Sequence, residues 1–504
     1  MRSKSALLNV SSTLLLQLII LTAGFILPRL YIQTYGSEIN GMISSIRQFI
    51  VYLSLIEGGV AAASLAALYK PIAQKDYYRI NSILSATKSF YSKIGMIFLM
   101  LVFGISLLYS YLVSQEVSFF LSFLMVIILG ISAFIEYFIL GKYKIILTAY
   151  QKSYILSKIQ MQATIINTIL ISILILLDFH ILIVQMTATL IYLLRVLIIK
   201  KYIKKNHSNL NFNEKADFKA IDQKWQALIH QLSSLVVFNS PLIILTVLTN
   251  LLEVSVFSIY LLIFSGIQML ISAFSSGLIA GFGDLISTNN NKILTKTFED
   301  VEFLYFIILF IIYTSAFILV MPFIGVYTES FTDADYFRPW VATLFILVGV
   351  ANNIRVPANI LVTASGHFKE TKYRALLEAL INIVCSVIFT IQFGMIGVLL
   401  GSLCSFSYRS IDFILYGSKY ILKMSSSGTF IKILFNFGMS MFSVFFIKSF
   451  LTVEAESILE WVLWACIILF IVSFFMVIAN LIFYTENVKK IVIRLMHLKS
   501  NFKR

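Results

Sequence analysis

Charge is scarce in this chain. Of its 504 residues, 12% are Asp, Glu, Lys or Arg, against about a quarter in an ordinary soluble domain, and 59% are hydrophobic. A soluble globular fold is excluded on that balance. Cysteine is nearly missing as well. Cys385, Cys404 and Cys466 all fall inside apolar runs without metal-ligand spacing, so they read as small buried hydrophobes and imply neither a disulfide framework nor a metal centre. The five histidines, His180, His207, His230, His367 and His497, sit mostly in loops or near the ends of apolar runs, again without ligand spacing. No glycine-rich loop of Walker type is present to cradle a nucleotide phosphate, which argues against ATP-driven work by this chain alone. With no catalytic constellation and no large loop to host group-transfer chemistry, the expectation is a non-enzyme that works by binding and conformational change.

What the sequence has in abundance is long hydrophobic runs. A spanning helix needs roughly 20 apolar residues, and about fourteen runs of that kind occur, near 7–30, 40–66, 90–113, 117–140, 155–177, 180–199, 226–249, 255–283, 303–327, 339–363, 375–392, 394–416, 431–452 and 458–484. The expected fold class is therefore an all-α integral membrane protein. The basic start MRSKSALLNV runs on to Leu27 without a small-residue cleavage site, so it is read as an uncleaved first helix. The net charge of +15 is spread over short connections and not gathered in one polar domain, which points away from nucleic acid. Alternate connections are rich in lysine and arginine (Lys70, Lys75 and Arg79; Lys142, Lys144 and Lys152; Lys200 to Lys205; Lys369, Lys372 and Arg374), whereas 114–117, 178–180, 249–253, 392–394 and 453–457 are almost free of lysine. The positive-inside rule then predicts a multi-pass protein of the cytoplasmic membrane with both termini cytoplasmic.

The chain repeats itself weakly. Thr148-Ala149 recurs as Thr363-Ala364, Ile166-Asn167 as Ile381-Asn382 and Glu38 as Glu253, all at one offset (363 − 148 = 215), and Arg195 and Arg409 nearly obey it. Spans that differ by six thus correspond, which predicts two pseudo-symmetric six-helix lobes of parallel topology. The expected organisation is a first lobe over 1–202, a cytoplasmic linker over 203–224, a second lobe over 225–424, and two further helices with a basic cytoplasmic tail over 425–504. The second half of the linker, with Phe212, Phe218, Ile221 and Trp225, reads either as an amphipathic surface helix or as solvated chain.

Several ionisable residues fall inside the runs. Arg47 and Glu57 lie about 15 Å apart along the second helix and roughly 80° around it, placed to line one cavity without touching. Asn352, Arg355 and Asn359 share a helix face, with Pro357 in their midst expected to free a carbonyl or kink the helix. Arg409 and Asp412 are spaced to pair, and Glu136 has Lys142 and Lys144 one to two turns on. Arg195, Lys142 and Lys144 are close enough to the interface to snorkel as mere topology determinants, and Arg409 with Asp412 also reads as a structural pair. Gln17, Gln162, Asn167 and Asn382 read as interhelical hydrogen bonders. For Arg47, Glu57 and Arg355 the functional reading is favoured, because an ionisable residue at membrane depth is a functional-site hypothesis by default.

The opening hairpin reads G-F-I-L-P-R-L-Y from Gly24 to Tyr31, then Tyr35-Gly36 and Gly41, then I-E-G-G-V-A-A-A from Ile56 to Ala63. With two six-helix lobes and two terminal helices, this pattern resembles the polysaccharide transporters of the multidrug/oligosaccharidyl-lipid/polysaccharide (MOP) superfamily, and within it the Wzx-type flippases of O-antigen, capsule and exopolysaccharide pathways. The resemblance implies a MATE-like fold. It also implies movement of an undecaprenyl-pyrophosphate-linked oligosaccharide from the cytoplasmic to the outer leaflet by alternating access. It further implies coupling to protons or sodium with no other cofactor, and the polysaccharide polymerase or assembly machinery as partners beside the lipid-linked oligosaccharide and the bilayer. On that reading Arg47, Arg355, Arg195 and Arg409, with Asn352 and Asn359, contact the substrate, Arg195 and Arg409 toward the cytoplasmic mouth. Glu57, Glu136 and Asp412 carry the coupling ion or exchange partners with those arginines. The alternatives are an ion-coupled drug or metabolite exporter of the same superfamily, a lipid-linked peptidoglycan-precursor flippase, and, from another class, a membrane polymerase or acyltransferase.

Overall fold

The structure, a computed structural model, describes residues 2–57, 59–221, 224–287 and 290–485, without the side chains of 2–7, 221, 224–234, 273–277, 279–280, 284 and 287. The expected basic tail (Lys489, Lys490, Arg494, Lys499, Lys503 and Arg504) lies outside the described residues, as do His497 and the side chains of Trp225 and His230. Among the described residues the regular structure is all helical: α1 (Arg2–Tyr35), α2 (Ser37–Leu53), α3 (Val60–Gln74), α4 (Tyr77–Leu112), α5 (Phe119–Phe134), α6 (Gly141–Ala149), α7 (Ser153–Leu176), α8 (Ile181–Asn206), α9 (Lys224–Leu248), α10 (Leu251–Ser287), α11 (Asn291–Thr328), α12 (Pro339–Ile354), α13 (Val356–Ala364), α14 (Phe368–Phe393), α15 (Met395–Tyr416), α16 (Ser427–Phe450) and α17 (Ile458–Phe483). Lipid offers no hydrogen-bond partner to a bare backbone, so spanning segments satisfy their own amides as helices.

Thirteen segments among the described residues are long and apolar enough to cross a membrane. The run expected at 226–249 is α9, whose described side chains form the apolar stretch Leu235–Leu248. The second span departs from expectation. One helix was predicted over 40–66, but α2 ends at Leu53, a short 3-10 turn covers Ser54–Glu57, and Gly59 at φ 70° precedes α3. Consecutive glycines release the helix there because they stabilise it least.

Helix boundaries carry the internal repeat more clearly than the side chains do. α6 and α13 are both nine residues long and are displaced by one offset at each end (356 − 141 = 215). α7 and α14 begin at Ser153 and Phe368 with that same displacement, and α8 and α15 at Ile181 and Met395 with one residue less. In each repeat the span before these helices is broken at the corresponding place. α5 passes into α6 through a π-helical turn, Ile135–Ile139, and α12 passes into α13 at Arg355. Pro357 explains the second break. It has no N–H for the Asn353 carbonyl, and the Tyr305 hydroxyl donates to that carbonyl instead, at 2.9 Å.

The helices group into two compact units, Met1–Leu262 with Phe331–Ala334, and Ile263–Ser330 with the chain from Asp335 onward. The first has one continuous apolar core that includes Met42, Ile46, Leu84, Phe98, Met125 and Ile146. Residues 207–221 form a docked strap on it. Leu210, Phe212, Ala216 and Ala220 pack against the core, Asn81 binds the backbone of Asn209 and Asn211, and the Asp217 N–H donates to the Ser82 carbonyl. Phe212 stands edge-on to Tyr143, and the Lys142 ammonium lies 5.1 Å from the Tyr143 ring centroid.

His207 fixes the start of this strap. Its Nε2 is 3.1 Å from Lys152 Nζ and its ring packs on Tyr150. Burial, and behind it the Lys152 charge, pull the imidazole below its ordinary range. A histidine with a lowered folded pKa stabilises the docked state fully above its unfolded value of about 6.5, and that contribution is lost as pH falls below it. Hydrogen-exchange protection of 207–221, corrected for the intrinsic rate that itself slows with acid, is expected to fall from about pH 7.5 to about pH 5.5. In His207→Gln, which retains an acceptor and cannot titrate, the pH dependence should flatten. An unchanged profile in that variant would assign the effect elsewhere.

In the second unit buried polar contacts tie α16 to α11 and α17 to α16. Lys432 Nζ donates to Glu302 Oε2 at 2.8 Å and Thr429 to Glu302 Oε1 at 2.8 Å, while Asn480 donates to Asn436 Oδ1 at 3.1 Å. Glu302 is 2% exposed, so α16 is anchored by a charge that lipid would not tolerate unpaired.

Candidate functional site

The sequence-predicted residues fall into two ionic clusters, one in each unit, at the two helix breaks. In the first unit the π-helical turn carries Glu136 and turns its carboxylate toward α8. Arg195 donates to Glu136 Oε2 at 2.7 Å and to Oε1 at 3.4 Å, and also to Gln160 Oε1 on α7 at 3.2 Å. Lys144 pairs with the same carboxylate. The Arg195 side chain is only 3% exposed, so it does not snorkel to the interface. Lys142 stays out of the cluster, over Tyr143 and Phe212.

In the second unit the break at Arg355 lets its guanidinium donate to Glu378 on α14 at 2.5 Å and to Asn352 Oδ1 at 2.7 Å. Arg409 on α15 donates to Asp412 at 2.7 Å. Its Nε lies 3.3 Å from Glu378 Oε2, an ion-pair distance that falls outside hydrogen-bond geometry. Arg374 pairs with the other Asp412 oxygen. Arg409 also lies flat on Phe413 (3.9 Å) and Arg355 near Phe406 (5.2 Å), contacts that favour a guanidinium over an ammonium. Beneath them Asn353 donates to Gln268 Oε1 at 2.8 Å and to the Tyr313 hydroxyl at 3.0 Å.

One arginine of each cluster corresponds under the repeat. Arg195 and Arg409 are equivalents, and each reaches an acceptor on the preceding helix, Gln160 or Glu378. Each cluster also carries one more cation than carboxylate: Arg195 and Lys144 against Glu136, and Arg355, Arg374 and Arg409 against Glu378 and Asp412. In each cluster the cation in excess is the more exposed one, Lys144 at 36% and Arg374 at 37%, while the guanidiniums of Arg195, Arg355 and Arg409 are each paired.

Three predicted residues stand apart. Arg47 is exposed and has no ion pair among the described residues. Glu57 does not face it; in the turn after α2 it accepts the Tyr91 hydroxyl at 2.5 Å. Asn359 does not share a working face with Asn352 and Arg355, because the break at Arg355 resets the helix phase. Its side chain is exposed, and only its backbone N–H meets Arg355, at the carbonyl, 2.8 Å away. Sequence reasoning missed Glu378, Arg374, Gln160, Gln268 and the Glu302–Lys432 pair. Arg374 and Glu378 at i, i+4 was a readable signal. Asn382 does bond between helices, to Ser405 at 3.0 Å.

Repeated six-helix sets with broken fourth spans and two added terminal helices make this a multi-pass α-helical membrane protein of the MATE/MurJ-like fold. Among solved structures it is similar to the lipid II flippase MurJ in an inward closed conformation (TM-score 0.66, 16% identity, 94% of this chain and 100% of that one). It is likewise similar to a multidrug resistance MATE family transporter of the MOP superfamily, inward-facing (TM-score 0.65, 16% identity, 80% and 95%) and outward-facing (0.54, 15%, 82% and 97%). At such identities the likeness is one of fold. No protein-family model and no curated protein matches the sequence.

Proposed function

We propose that this chain is a MOP-superfamily flippase that carries an undecaprenyl-pyrophosphate-linked oligosaccharide from the cytoplasmic to the outer leaflet by alternating access, for surface polysaccharide synthesis. The observation that carries the reading is the set of buried, carboxylate-held guanidiniums Arg195, Arg355 and Arg409, together with Arg47, which has no ion pair among the described residues. A diphosphate headgroup needs guanidinium donors in a poorly hydrated setting, where charge-assisted bonds are strong. Arg47 in the first unit and Arg355 with Asn352 in the second are assigned to the headgroup, and Asn359 is not. Arg195 and Arg409, held by carboxylates at rest, are assigned to exchange those partners for the diphosphate. Glu136 and Asp412 are then the groups left free to take up a coupling proton or sodium ion, and Glu57 is a third such group. No enzymatic step is assigned.

A lipid-linked peptidoglycan precursor is the second candidate substrate, supported by likeness to the lipid II flippase over 94% of this chain. The test is transbilayer movement of labelled lipid-linked glycans in proteoliposomes holding this protein alone, with and without an imposed proton or sodium gradient. Protein-dependent appearance of the undecaprenyl-pyrophosphate oligosaccharide on the far leaflet is the expected result. Movement of the peptidoglycan precursor alone would select the second substrate. Export of a small cationic dye with the glycans left in place would overturn the flippase reading in favour of a drug exporter.

A further inference from the structure

At one end of the first unit, the end that the loop charge bias assigns to the outer face, two helices begin whose first amides are satisfied from a distant part of the chain. α2 starts after Gly36, which at φ 86° offers no side-chain cap, a conformation suited to glycine. The Ser37 N–H and hydroxyl both donate to Asp333, at 2.5 and 2.7 Å, a residue of the turn between α11 and α12. α10 starts at Leu251, whose N–H donates to Glu116 at 2.6 Å, a residue of the turn between α4 and α5. Asn250 caps only the later Glu253 N–H.

Ser37 and Leu251 are repeat equivalents (251 − 37 = 214), and so are the two turns. An acid from each repeat therefore caps the other repeat's helix. Between the caps the helices meet on equivalent residues: Asn40 donates to Ser255 at 2.8 Å, with which it shares the 215-residue offset, and to Ser258 at 3.2 Å. Gly41 permits this crossing, since a Cβ there would collide with the Leu251 carbonyl. Ser37, Asn40 and Ser255 are buried.

We infer that Glu116 and Asp333 form a reciprocal outer latch that holds the outer ends of α2 and α10 together and is released once in each transport cycle. The inference rests on the alternating-access reading. A carboxylate at a helix N-terminus meets both the dipole and bare N–H groups. Two such contacts at the rim of the unit hold a closed state yet break without unpacking its core. Their exchange between repeats means that neither helix keeps its cap when the repeats separate.

Ser45 lies deeper on α2, buried and bonded to Thr246 at 2.8 Å, so Ser45→Cys reports opening of the outer end. In a background with Cys385, Cys404 and Cys466 changed to serine, this cysteine is labelled from outside with a membrane-impermeant thiol reagent. With each single variant, Glu116→Gln or Asp333→Asn, labelling is expected to accelerate up to about tenfold, the factor one lost cap corresponds to, and the double variant should exceed either single. Glu329→Gln, an exposed acid of the α11–α12 turn, should leave the rate unchanged. The melting temperature of each variant shows that it is folded, and the singles carry the test if the double is not. A parental labelling rate in the capless variants, or equal acceleration by Glu329→Gln, would overturn the latch. The readout needs no substrate, so the latch fails by labelling while the flippase reading fails by glycan movement.

Discussion

Glu378→Ala is expected to lower the melting temperature of the purified protein strongly. Glu378 is 9% exposed and stands between Arg355 and Arg409, themselves 12% and 5% exposed. Removing it leaves the Arg355 guanidinium without its acid and strips Arg409 of one of two. Breaking a buried ion pair from one side costs about 3–5 kcal/mol, because the penalty lies in the charge left behind. Glu378→Gln keeps the shape and one acceptor and should cost less. The double variant Arg355→Ala/Glu378→Ala should recover part of the loss, since it removes the stranded charge with its partner. Melting curves of the parent, Arg355→Ala, Glu378→Ala and the double variant in nanodiscs give the coupling directly, and additive shifts would show that the two residues do not depend on each other.

Arg47→Ala should do the reverse, leaving the melting temperature in place and removing transport. Arg47 is exposed and unpaired among the described residues, so its loss strands no buried partner. If it holds the diphosphate, it contributes a charge-assisted contact of about 1.5–3 kcal/mol, and glycan movement should fall roughly tenfold to a hundredfold. Arg47→Lys should retain part of the activity, as a point charge without the bidentate fork, and Arg47→Glu should retain none. Parental flipping by Arg47→Ala at equal protein level would remove Arg47 from the substrate site.

These two residues show how differently the sequence speaks about single positions. Arg47, Arg355, Arg195 and Arg409 stood out because a bilayer makes any charge conspicuous, and the Arg409–Asp412 spacing proved to be a contact. The partner choices were not readable. Glu136 had Lys142 and Lys144 one to two turns on, and Lys144 does pair with it, but the sequence did not show that Arg195, 59 residues on, takes both its oxygens. Glu378 escaped notice, although it joins Arg355 and Arg409 from a third helix. Asn359 was misplaced because helical phase was carried through Pro357 as if the helix were continuous. The weak 215-residue offset was sound, since helix starts at Ser153 and Phe368 reproduce it.

By itself the sequence determined the all-helical, many-span architecture and its repeat, since lipid forces backbone into helices and makes apolar length the deciding quantity. Tertiary structure alone decided which charges neutralise which, and that Glu116 and Asp333 cap helices far away in the chain. The reason is physical. Span and period are local properties of consecutive residues, whereas an ion pair or a borrowed cap depends on how helices distant in sequence are packed, which no local pattern encodes.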